Sequence, residues 1–289
     1  MIPAEPWARG AASLGEAPRL LRDGTLRWTD LLEGIVFTRD AAGAAHPVDI
    51  YPGETVSALL PLADGRIALA LRRRIVVLDA GRIVDVIGPE LPSGFRYSDG
   101  IAGPSGHLWV GVVSDGGRTA PGWLLRIGGA GTTTVREGIG FANGIGFSVD
   151  GTRLFHVDSA AGSIVVFAHD PRTGALGASH TLYRHTAPGA LDGLAVDAHD
   201  RLWVAVFGGS RVLRIETGGA GAGTVTDHVE LAARRVTSCC FGAADDLYIT
   251  TARVDATAQE LAAEPLAGSV FLARVGCAGA PRHEGRLPA

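Results

Sequence analysis

Lysine is absent from this chain of 289 residues, and all 26 basic side chains are arginines. Without an amine, Schiff-base aldolases, pyridoxal-phosphate enzymes and the phosphate-binding loop are excluded. Asparagine, a common turn and surface residue, survives only as Asn143. Cysteine is scarce: Cys239 and Cys240 are neighbours and Cys277 is distant, which makes neither a disulfide framework nor a spaced metal set. A reduced, cytoplasmic setting is the expectation. No run approaches the ~18 apolar residues of a membrane helix, and the opening MIPAEPWARGAASLGEAP lacks the cationic-then-apolar order of a secretory signal. A soluble protein is expected, a monomer or weak homo-oligomer, with no membrane partner. The net charge of −4 and the lack of a basic block argue against nucleic acid. Amphipathic helices are missing too. The best candidate, residues 256–267, is interrupted by Pro265 and reads as a loop insertion.

What the chain does have is glycine, 41 residues without a collagen period, which points to many tight turns. A turn followed by a short apolar strand recurs as RDGTLRWTD, ADGRIALAL, PSGHLWVGV, VDGTRLFHVD, AHDRLWVAV and AADDLYITT. The first strand hydrophobes are Leu26, Ile67, Leu108, Leu154, Leu202 and Leu247. A period of roughly 40–50 residues with several short strands per copy is the signature of a β-propeller blade. The repeat therefore predicts an all-β, six-bladed β-propeller whose four-stranded antiparallel blades surround a central channel. It fills residues 1–289 as a single domain, with the strand in 268–275 completing the last blade and the two ends of the chain in contact.

In a propeller, residues at equal phase form a ring around one mouth of the channel. Counting back about ten positions from each anchor reaches Glu16, Ser57, Ser98 with Asp99, Asn143, Asp192, and Thr237 with Ser238. Every blade presents an oxygen there, before an apolar strand. Carboxylates gathered at a partly dehydrated mouth repel one another unless a cation or protons offset them. Oxygen donors without Cys or His favour a hard divalent ion such as Ca²⁺ or Mg²⁺ over zinc. For any one of these residues, turn-forming or strand-capping is the plainer role, since Asp-Gly and Asn-Gly are ordinary turn pairs. For Glu16, Asp99, Asn143 and Asp192 as a set, metal binding is favoured.

The stretches LGEAP (14–18), RYSDG (96–100), SGHLWVG (105–111), FANGIGFSVDGTRLFHVDS (141–159), LDGLAVDAHDRLWVA (191–205) and TSCCFGAADDLYITTA (237–252) carry a resemblance. In this order they resemble the senescence marker protein, gluconolactonase and luciferin-regenerating enzyme family of six-bladed, metal-dependent propellers. The resemblance implies that Glu16, Asn143 and Asp192 are the ligands of one divalent cation, Ca²⁺ first, with Mg²⁺, Mn²⁺ or Zn²⁺ as alternatives. It implies that Arg96 and Ser98 face a small-molecule substrate, and it ranks Asp192 above Asp99 as the base. Three departures bear on specificity: Ser98 stands where the family has asparagine, Gly103 where it has an acidic residue, and GVVSDGG (111–117) replaces a methionine-bearing stretch.

The expected function is a divalent-metal-dependent hydrolase of a lactone or related small cyclic ester. The metal polarises the carbonyl and activates water, and Arg96 stabilises developing negative charge. The alternatives are a metal-dependent isomerase, cyclase or lyase of specialised metabolism, and a non-catalytic calcium-binding or interaction propeller. Trp109 and Trp203 occupy one strand position in two blades and are assigned to inter-blade packing. His107, His156, His199, Ser159, Cys239 and Cys240 are set aside as structural. Asp158 and Asp197 are expected to bond the backbone of a neighbouring blade, and GGAGTT and TGGAGAG are read as outer hairpin loops.

Overall fold

The computed structural model describes residues 1–116, 120–129 and 131–287; Gly117, which ends GVVSDGG, and Ala130, within GGAGTT, lie outside them. Among the described residues six sheets form, each built on four antiparallel strands. The innermost strands of blades 1 to 6 are Gly15–Leu20, Val56–Pro61, Phe95–Ala102, Ala142–Phe147, Ala190–Val196 and Val236–Phe241. Each packs against the next, and the sixth packs against the first, which makes the arrangement a closed ring. The six anchors open the second strand of each blade or sit one residue inside it. The six-bladed β-propeller read from the repeat is the fold.

Burial explains which sequence runs took which place. The second strand of blade 3, Leu108–Ser114, is buried along its whole length, being covered on both faces. The outermost strand of blade 4, Leu176–Arg184, is mostly exposed, and its sequence LGASHTLYR is correspondingly polar. The core is divided into six apolar clusters, one in each seam between adjacent blades. Trp109 meets Phe147 of blade 4 edge-on at 5.7 Å, and Trp203 meets Phe241 of blade 6 at 6.3 Å. Both indoles are therefore seam residues, as expected.

The ring closes differently from the expectation. The strand within 268–275, Val270–Arg274, is the third of blade 6, and the N-terminal strand Glu5–Ala8 pairs with it as the fourth. The chain contributes strands to one blade from both of its ends, so the ring is closed by strand pairing inside blade 6. Ile2–Pro3 adds a short parallel strand to the outer edge of blade 5. The 256–267 insertion also differs, because Ala258–Ala263 forms a helix. Thr257 caps it, with Glu260 bonding back to the cap residue, and it stops before Pro265. Among the described residues no helix is long and apolar enough to cross a membrane.

Among the described residues the Asp197 carboxylate does not bond the backbone of a neighbouring blade, although Cys277 Sγ, just past blade 6, donates to its Oδ2 at 3.4 Å. Asp197 accepts from His199 N, Arg201 N, Arg201 Nε and Trp203 Nε1, and so organises its own turn. Asp158 binds the backbone N–H groups of Gly140 and Phe141, in the segment that arrives from blade 3. Gly103 lies past the end of its inner strand, in a turn closed by Gly106 N to Gly103 O at 2.9 Å. There the segment 278–287 crosses the blade ends, bonding Val196 O through Ala280 N, Pro61 O through Gly285 N and Gly106 O through Arg286 N. The Gly103 departure belongs to this strapped end of the channel, away from the ring of polar residues.

Candidate active site

Each inner strand breaks its pairing register at the phase the repeat singled out. The breaks fall between Glu16 and Arg19, Val56 and Ala58, Tyr97 and Gly100, Ala142 and Ile145, Leu191 and Leu194, and Val236 and Ser238. A bulge frees a residue from the ladder and re-aims its side chain. That is how strands otherwise committed to apolar seams turn polar groups toward the axis. The Asn-Gly and Asp-Gly pairs are therefore strand bulges, not hairpin turns. Their glycines have a separate purpose. A Cβ on Gly144 would meet Asp192 O at 2.7 Å, and one on Gly193 would meet Ser238 Oγ at 2.2 Å. Blades 4, 5 and 6 approach one another this closely only because a glycine follows Asn143 and another follows Asp192.

The bulges of blades 1 to 5 converge on one mouth, a cavity of about 280 Å³ bordered by Glu16, Ser57, Arg96, Ser98, Asp99, Asn143 and Asp192. All the candidate site residues are thereby brought together. Thr237 of blade 6 instead donates its hydroxyl to Gly15 O and, with Ser238, does not border the cavity. Asn143 Nδ2 donates to Asp192 Oδ1 and to Ser159 Oγ, the latter at 3.3 Å, joining blade 4 to blade 5. Among the described residues nothing donates to Asn143 Oδ1, which leaves that oxygen for a ligand. Ser159, set aside on sequence, belongs to the site, and its hydroxyl donates to Leu191 O at 2.5 Å. The clue was its place directly after Asp158, whose strand end faces the mouth. Ser98 donates to Ala142 O at 2.7 Å, so its proton serves the seam with blade 4.

Glu16, Asp99 and Asp192 are all buried. Burial, followed by the charge of Asp99, pushes the Glu16 carboxyl up to about 8. Burial, then Glu16 and Asp99, raises Asp192 well above the usual carboxylate range, against the opposing hydrogen bond from Asn143. Asp99 is raised by burial and partly relieved by Arg19 and by Gly100 N–H. Arg19 was not foreseen. Its Nη2 bonds Gly100 O at 2.6 Å and stands 3.5 Å from Asp99 Oδ1, reaching the cluster from the strapped side. On the mouth side, Arg96 donates to Tyr97 O at 3.1 Å and lies 3.9 Å from Asp115. Its guanidinium sits 5.9 Å from the Phe141 ring.

Among the described residues no three His, Cys, Asp or Glu side chains form a ready metal cluster. The donor set of Glu16, Asn143 and Asp192 instead combines two carboxylates with an amide, all oxygens. Its two carboxyls are raised by burial first and by neighbouring carboxylate charge after that. Both properties fit a hard divalent cation.

Residues 14–253 match the family described as SMP-30/Gluconolactonase/LRE-like region. The 6-deoxy-6-sulfogluconolactonase of Pseudomonas putida is 32% identical over 291 residues, covering 93% of this chain and 95% of that protein. Regucalcin of Danio rerio is 35% identical over 195 residues, and the match spans 65% of each chain. Among solved structures, a calcium-binding protein, regucalcin, from Agrobacterium tumefaciens superposes with a TM-score of 0.88 at 26% identity. That match covers 100% of this chain and 99% of the other.

Proposed function

This chain belongs to the SMP-30/gluconolactonase/LRE-like family, and from that premise we propose that its polar mouth hydrolyses a lactone with a divalent cation, Ca²⁺ first, held by Glu16, Asn143 and Asp192. The observation that carries the reading is the convergence of Glu16, Asp99, Asn143 and Asp192 with Arg96 in one cavity, each presented by an inner-strand segment. When bound, the ion supplies a Lewis acid for the lactone carbonyl.

The chain's own groups supply the rest. Asp192, anchored by Asn143, takes a proton from the water whose oxygen attacks the carbonyl carbon. The ring C–O bond then breaks, and the proton passes to the departing alkoxide, giving the open hydroxy acid. Arg96 offers donors to the negative charge that develops on the carbonyl oxygen, in a largely buried position where such a contact is strengthened. Asp99, tied to Arg19 and Gly100 N–H, keeps negative charge beside the ligand set. The small-molecule substrate and the ion are the only partners this reading requires.

The test is base consumption in a pH-stat with a panel of lactones, on protein treated with chelator and then resupplied with Ca²⁺, Mg²⁺, Mn²⁺ or Zn²⁺. Activity that disappears with chelator and returns with one of the ions supports the reading. Turnover indifferent to chelator, or a folded protein inert to every lactone with every ion, would sink it.

A further inference from the structure

The walls above the polar floor are apolar. Leu14, Leu31, Leu32, Phe141, Phe207 and Val254 border the cavity, drawn from blades 1, 4, 5 and 6. Leu32 is 43% exposed, at the hairpin tip of blade 1, where nothing in the fold asks for a large hydrophobe. Val254 is held in place rather than loosely draped: its N–H donates to Ser13 O at 2.8 Å, and Arg235 Nη2 donates to Asp255 O at 2.8 Å, pinning the helical insertion. The nearby hydroxyls have spent their protons on backbone carbonyls, Ser57 on Ala70 O, Ser98 on Ala142 O and Ser159 on Leu191 O. The charged groups of the wall are Arg96 and the exposed Asp255.

We propose that the lactone taken by this mouth carries an apolar substituent, alkyl or aryl, in place of the ring hydroxyls of a sugar lactone. The inference rests on the lactonase reading of the same site and narrows its substrate class. The acyl group sits over the polar floor, and the substituent lies against Leu31, Leu32, Phe207 and Val254, where each methylene removed from water strengthens binding. A polyhydroxylated ring in the same place buries hydroxyls opposite Leu and Phe side chains, and each one left without a partner weakens binding.

The test compares kcat/KM of the Ca²⁺-supplied protein for δ-valerolactone, alkyl homologues up to δ-decalactone, and glucono-δ-lactone. The expected result is a rise of about fourfold per added methylene over the first few, with glucono-δ-lactone at least about tenfold below δ-valerolactone. Leu32→Asn and Phe207→Asn are expected to shrink the preference for δ-decalactone over δ-valerolactone about tenfold; Leu32 is exposed, so its variant is not a test of folding. A flat alkyl series, or glucono-δ-lactone as the better substrate, overturns the inference and leaves the lactonase reading in place. Binding of the matching lactams, which resist hydrolysis, is followed by calorimetry to separate the two. Tighter binding of an alkyl lactam than of a polyhydroxylated one, with no lactone turned over, keeps the apolar specificity and removes the hydrolase. Equal or reversed lactam affinities overturn the inference.

Discussion

Asn143 and Glu16 show how much a single side chain carries here. Asn143 bridges two blades through Nδ2 and leaves Oδ1 free, so Asn143→Ala removes both a proposed ligand and the clamp on Asp192. Its lactone turnover is expected to fall at least about a hundredfold at little cost in melting temperature, measured on the same preparations. An equally active variant would remove Asn143 from the site. Glu16 is the opposite case, since its charge is unfavourable until something offsets it. In chelator, Glu16→Gln is expected to raise the melting temperature, and Ca²⁺ is expected to stabilise the parent protein but not the variant. Calorimetry with and without the ion decides this.

His156 adds a pH dependence unconnected with the chemistry. It is fully buried, and burial with the nearby Arg136 drives its pKa down from 6.5 to about 3. The folded protein thus binds fewer protons than the unfolded chain between those values. Stability from this group is complete above about 6.5 and is lost as pH falls toward 3. His156→Leu should flatten that acid limb in denaturant titrations at stepped pH; an unchanged limb would place its cause in another residue. The turn chemistry around Asn143 and Asp192 was legible in the sequence. What those pairs turned out to build was not, because a bulge and a hairpin turn draw on the same residue types.

Among the elements, the bulged inner strands are the decisive ones, and their glycines can be tested directly. Gly193→Ala places a methyl within 2.2 Å of Ser238 Oγ. The expected cost is about 1–3 kcal/mol from overpacking, with a loss of turnover larger than the stability loss explains, because Asp192 is the preceding residue. Unchanged unfolding and activity would show that blade 6 yields easily. The N-terminal strand Glu5–Ala8 is a second such element. Its removal leaves Val270–Arg274 as an unprotected edge. The truncated chain is expected to melt several degrees lower and to self-associate, as light scattering would reveal. The repeat located every anchor strand, yet it assigned the closing strand to the wrong end. Periodicity counts copies within the chain and is blind to a strand borrowed across the ring.

For the molecule as a whole, six seams replace a single core, and the channel has two unlike ends. One gathers Glu16, Asp99, Asn143 and Asp192; the other is strapped by residues 278–287. The recurrence of turn and strand, together with a polar residue at constant phase, determined the number of blades, their order and the ring of candidate ligands, because rotation turns sequence period into spatial position. Only the tertiary structure decided that Arg19 reaches Asp99 from the strapped side, that Ser159 joins the mouth, that Gly103 lies far from it, and that Leu32, Phe207 and Val254 wall it. These residues come from segments at different phases, loops and an insertion, which no period relates. They meet only because closing the ring brings six blades around one axis.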